Sequence, residues 1–110
     1  MNIYDTTNKL AQEIKQSEEY MNYKMAKQAI NLNLEIKSKI EEFEKMRYES
    51  QIEMMQTGKH NETKMVEMQN KYKELIESEE ARKFFEAETK FNIIIADVNK
   101  IIGEAVRDVM

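Results

Sequence analysis

His60 is the only histidine in the chain, and there is no cysteine to accompany it. Catalysis needs a nucleophile with its base, a poised acid pair or a metal, and these residues assemble none of the three. Without cysteine there is no disulfide, thiolate zinc site, cysteine-held iron–sulfur cluster or catalytic thiol. The 21 Asp and Glu residues bring to mind a di-iron helical bundle. That site takes a Glu-x-x-His pair from each of two helices, and position 57, three before His60, is Thr57. His60 lies in the polar stretch Thr57-Gly58-Lys59-His60-Asn61 and reads as a solvated loop residue. Gly58 and Gly103 are the only glycines and stand far apart, so no glycine-rich loop can cradle a phosphate. The 17 Lys and Arg residues alternate with acids under a net charge of −4, which argues against direct nucleic-acid binding. Lys37, Lys39 and Lys45 read as a solvated face. No catalytic, cofactor-binding or metal-ligating residue is expected.

The elements that carry these residues are helices. The chain has no proline and only two glycines in 110 residues, leaving little with which to build tight hairpins, so a sheet-rich fold is set aside. Five segments start at short polar residues near acids that suit the positive end of a helix dipole. Asp5 is placed as the cap of a first helix over roughly 6–16. Ser17-Glu18-Glu19 starts a second carrying Tyr20, Tyr23, Ala26 and Ile30, which Asn31-Leu32-Asn33 interrupts. A third over roughly 34–57 places Ile36, Ile40 and Phe43 on one stripe and ends at Gly58, where a reversal would make a helical hairpin. A fourth over roughly 62–77 carries Met65, Met68, Tyr72 and Leu75. Ser78-Glu79-Glu80 opens the fifth. Met54, Met55, Met65 and Met68 flank the hairpin loop and read first as core packing, with an adaptable contact surface as the alternative.

The fifth segment dominates, running from about Glu79 to Val109. Phe91, Ile95, Val98, Ile102, Ala105 and Val109 follow steps of four and three, and Phe84, Phe85, Ile94 and Ile101 widen the apolar face. Such a helix is about 46 Å long at 1.5 Å per residue, against roughly 34 Å for the diameter of a compact domain of this length. The stripe is therefore expected to outrun its own domain and to be covered by a second chain. The self-association surface is placed on Phe84, Phe91, Ile95, Val98, Ile102 and Ala105. Glu88 shares the seam and either meets water at the core edge or pairs with a buried polar group that fixes helix register. Asn92 and Asn99, one heptad apart, either hydrogen-bond across an interface or face solvent. The expected architecture is all-α: one domain over 1–110, an elongated bundle of about five helices with a long C-terminal helix, dimeric.

Several stretches together resemble the YlbF/YmcA family of small bacterial cell-fate regulators. They are Ile3-Tyr4-Asp5 with Leu10, Ser17-Glu18-Glu19-Tyr20 with Tyr23 and Ala26, Phe43, and Gln56-Thr57-Gly58-Lys59. The most specific is Phe85-Glu86-Ala87-Glu88 through Phe91-Asn92 to Val98-Asn99-Lys100-Ile101-Ile102. The resemblance covers essentially the whole chain. It implies an all-helical fold that forms homodimers or associates with family paralogues, and a non-enzymatic role. It further implies an accessory factor linked to ribonuclease Y and transcript processing, and through them to competence, sporulation and biofilm formation. Some family members have cysteines tied to iron–sulfur clusters; this chain has none, so no cofactor is carried over. The alternative is a structural helical scaffold or a chaperone for a protein client. The longest apolar run, Ile93-Ile94-Ile95-Ala96, is far short of a spanning helix, and the first residues lack a signal-peptide pattern. No membrane association is expected, and the cytoplasm is the expected location.

Overall fold

The computed structural model describes residues 2–110. Five helices follow in order: α1 Ile3–Lys15, α2 Glu18–Asn31, α3 Leu34–Thr57, α4 Glu62–Leu75 and α5 Glu79–Ala105. No strand occurs among the described residues. The all-α expectation, the five elements and the long C-terminal helix all stand.

Short polar side chains begin the helices by occupying backbone N–H groups that have no partner within the first turn. Asn33 Oδ1 accepts from the Ile36 N–H at 3.2 Å, and Asn61 Oδ1 from the Lys64 N–H at 3.1 Å. Ser17 Oγ accepts from the Tyr20 N–H at 3.2 Å while donating to the Ile14 carbonyl at 2.6 Å, which ties the end of α1 to the start of α2. Ser78 Oγ accepts from the Ala81 N–H at 3.4 Å. At the first helix the expected cap moves. Asn2 Oδ1 accepts from the Tyr4 N–H at 2.7 Å, and Asp5 lies inside the first turn. An acid there still favours the dipole, so Asp5 suits either place. Gly58 ends α3 in the left-handed region at φ 72°, its N–H donating to the Met54 carbonyl at 2.8 Å. At the other end of the chain, α5 stops at Ala105, four residues before the expected Val109.

The chain divides into two units, Met1–Lys27 with Phe84–Met110, and Gln28–Lys83. In the second unit α3 and α4 form the expected hairpin. Cross-helix pairs place Glu53 with Lys64 at 2.9 Å, Glu42 with Lys71 at 3.0 Å and Lys39 with Glu74 at 4.0 Å. The index falls on α3 as it rises on α4, which marks the two helices as antiparallel. Beneath these pairs the Phe43 ring meets Tyr72 at 5.8 Å, and Ile30, Ile40, Phe43, Leu75 and Ala81 are buried. Asn33 Nδ2 also donates to Glu80 Oε2 at 3.1 Å, so one side chain caps α3 and holds the first turn of α5.

In the first unit α2 and α5 meet through aromatic rings. Tyr20 stands edge-on to Phe91 at 5.9 Å, and Tyr23 lies between Phe91 at 5.6 Å and Phe84 at 5.8 Å. Phe84 and Phe85 are buried and T-shaped to each other at 5.4 Å. Helix α1 buries none of its residues.

Candidate interaction surface

Spacing of four and three keeps one side of α5 apolar, but the cover on that side fades along the helix. Phe84 is only 5% exposed, its ring already packed within its own unit, so it offers little surface to a second chain. Phe91, Ile95 and Val98 are half-buried, whereas Ile102 and Ala105 are exposed. Ile101 is 68% exposed and Ile102 53%. Periodicity alone identifies the apolar side of a helix but not where a neighbouring helix ends, so the stretch from Phe84 to Phe91 and that beyond Val98 looked alike in sequence. Further apolar side chains lie bare, among them Ile93 on α5, Val106 and Val109 just past its end, and Ile3 and Tyr4 on α1.

Glu88 takes a partner. The Tyr23 hydroxyl donates to Glu88 Oε2 at 3.3 Å in a half-buried setting, and the Lys27 ammonium sits 4.9 Å above the Tyr23 ring. The carboxylate therefore meets a phenol at the half-buried edge of the ring contacts between α2 and α5. Asn92 and Asn99 are exposed. They form one flank of the stripe, and Ile94 and Ile101 form the opposite one.

The methionines depart from expectation. Met54 and Met68 are half-buried and Met55 and Met65 exposed, so none of the four lies in the core. Ile40, Phe43 and Leu75 fill the space between α3 and α4, leaving the methionines on the rim. Beside them Phe43, Met65, Met68, Gln69, Tyr72 and Lys73 line an open apolar groove of about 280 Å³ in the second unit. His60 is exposed in the hairpin loop. Among the described residues no group of three or more His, Cys, Asp or Glu is placed to hold a metal ion. None of their helices is long and apolar enough to cross a membrane.

The longest helix of this all-helical chain thus bares an apolar stripe, and short polar residues such as Asn33, Asn61, Ser17 and Ser78 are engaged in capping its helices. The chain belongs to the YlbF/YmcA family, since residues 3–107 match the family described as control of competence regulator ComK, YlbF/YmcA. Its relatives include UPF0342 proteins. One from Clostridium novyi is 33% identical over 108 residues, covering 98% of this chain and 95% of the relative. Another from Desulfitobacterium hafniense is 34% identical over 110 residues, covering 100% and 89%. A third from Symbiobacterium thermophilum is 31% identical over 104 residues, covering 94% and 93%. The family is described by control of a regulator and not by a reaction, which supports a regulatory role.

Proposed function

We propose that this protein is a non-enzymatic regulatory adaptor that works in the cytoplasm through helix-to-helix contacts on α5. The resemblance extends the reading to an accessory factor in an assembly with ribonuclease Y, affecting transcript processing and thereby competence, sporulation or biofilm formation. Its contact partners are a second copy or family paralogues. The observation that carries the proposal is the exposure of Ile101 and Ile102 on an otherwise well-formed amphipathic helix. Apolar side chains held bare by a rigid element favour association, because covering them returns about 25 cal/mol per Å². RNA contact is assigned to the partner, since phosphate affinity comes chiefly from clustered basic charge.

The groove beside Met65 and Tyr72 favours a second reading, a scaffold or chaperone holding a protein client, because methionines adapt to varied apolar surfaces. Affinity capture from the native bacterium separates the two. Wild-type protein should recover ribonuclease Y or family paralogues, and Ile102→Asp, at an exposed site that folding does not need, should lose them. Capture of a single client that survives Ile102→Asp but not Met65→Glu would replace the adaptor with the scaffold.

A further inference from the structure

We infer that the groove beside Tyr72 is a docking place for an acidic amphipathic helix of a partner protein, which seats an apolar side chain against Met65, Met68 and Tyr72 and sets a carboxylate beside Lys73. The inference rests on the second reading above, names the chemistry of the client, and uses no part of α5. Everything it needs lies within the unit Gln28–Lys83. Phe43 is buried at the base, and Met65, Met68, Gln69, Tyr72 and Lys73 line the rest of an open space of about 280 Å³. Small-molecule pockets run from about 300 to 1,000 Å³ and enclose most of their ligand. An open groove below that range encloses little, but it accepts side chains from one face of an element laid along it. Its two methionines can follow varied apolar shapes. With no strand among the described residues, no sheet edge is offered to an extended peptide, whereas an amphipathic helix needs only an apolar groove.

Charge decides the sign of the partner. Three lysines of the α3–α4 hairpin are matched within the unit: Lys39 with Glu35 and Glu74, Lys64 with Glu53, and Lys71 with Glu42. Lys64 and Lys71 lie two turns apart on one strip of α4, and Met65, Gln69, Tyr72 and Lys73 lie on the strip beside it. Lys73 forms no ion pair among the described residues, and no acid lines the groove. In a chain with 21 acidic residues and a net charge of −4, an apolar groove with an ammonium and no carboxylate is the reverse of the surface around it. The Arg47 guanidinium stands beside the same apolar base, 5.7 Å from the centroid of the Phe43 ring. A carboxylate on the incoming helix meets an opposite charge here, and an ammonium meets a like one. The apolar contacts supply attraction, and the charge supplies the choice of partner.

The probe is a dye-labelled synthetic peptide of about 15 residues, stapled because free helices of that length are marginal in water. It carries leucines at steps of four and three with glutamates on the flank of that stripe, and a twin peptide carries lysine for each glutamate. Titrated with the full chain, the acidic peptide should reach half-saturation below about 1 mM, and the lysine twin should bind about fivefold more weakly or worse. Lys73→Glu should reverse that preference, and a reversed preference needs an intact groove, so it reports charge and not loss of fold. Met65→Glu should weaken the acidic peptide, whereas Ile102→Asp should leave the titration unchanged. With methionine methyl groups labelled for NMR, the acidic peptide should move the Met65 and Met68 signals and leave that of Met110 in place. Equal binding of the two peptides, or a Lys73→Glu variant that keeps the wild-type preference, would overturn the acidic partner. Binding by neither peptide would overturn a helix as the occupant, while a captured client lost by Met65→Glu would still leave the scaffold reading standing. Signals that move only at other methionines would overturn this groove as the site.

Discussion

Tyr23 joins three interactions in one side chain: ring contacts to Phe84 and Phe91, a hydroxyl bond to Glu88, and the Lys27 ammonium over its face. These separate by substitution. Tyr23→Phe keeps the rings and removes the donor, so it should cost about 1 kcal/mol. Tyr23→Ala also removes the packing and should cost about 3 kcal/mol. Urea denaturation followed by circular dichroism measures both, and equal losses would show that the hydroxyl bond outweighs the ring. A second residue-scale prediction concerns pH. The hydrogen bond from Lys64 holds the Glu53 carboxyl below the usual glutamate range, and the same bond raises Lys64 above the usual lysine range. A carboxyl lower in the folded state contributes stability above its unfolded value and loses it as pH falls through the folded one. A raised lysine contributes below its unfolded value and loses it as pH rises through the folded one. The pair therefore helps across the neutral range and fails at both extremes. Glu53→Gln should flatten the acid limb of a melting-temperature profile, and salt should shrink the difference, since both groups are solvated.

The two glycines predict opposite signs at the scale of the element. Gly58 takes φ 72° at the end of α3, a conformation that a Cβ disfavours, so Gly58→Ala should destabilise the hairpin by about 1 kcal/mol. Gly103 lies within α5 with nothing near the position of an added Cβ, so Gly103→Ala should stabilise the protein by about 1 kcal/mol. Calorimetry of the two variants checks both signs. Elements were the most legible scale of this sequence. Ser17, Asn33, Gly58, Asn61 and Ser78 are punctuation whose chemistry depends on neighbouring backbone alone, so the helices begin or end beside them. The sequence places the first cap on Asp5, whereas Asn2 takes it, because both residue types suit a helix start. The surface was less legible. Met55 and Met65 have the spacing of core residues, yet whether a neighbouring helix reaches them depends on tertiary packing, and none covers them. Glu88 looked like a seam carboxylate at a core edge, and only the fold brings the Tyr23 hydroxyl to it.

At the scale of the whole molecule, the proposed association with a second copy predicts a stability tied to concentration. The melting temperature should rise over a hundredfold concentration range, where a self-contained monomer would hold constant. Val98→Ala with Ile102→Ala should weaken the dimer by about 2 kcal/mol or more, roughly thirtyfold in dissociation constant by sedimentation. If the pair only lowers the melting temperature and leaves the assembly state alone, the stripe is core and not interface. The sparse distribution of buried side chains has one more consequence. Ile30, Ile40, Phe43, Leu75 and Ala81 are buried in the second unit and Phe84 and Phe85 in the first, while α1 contributes no buried residue. Amide protons open to solvent at a rate set by the packing that must break to free them. Deuterium should therefore enter α1 within the first moments of exchange and reach the amides around Ile40 and Phe85 last. The first helix then unwinds at little cost, well before either unit gives up its buried side chains.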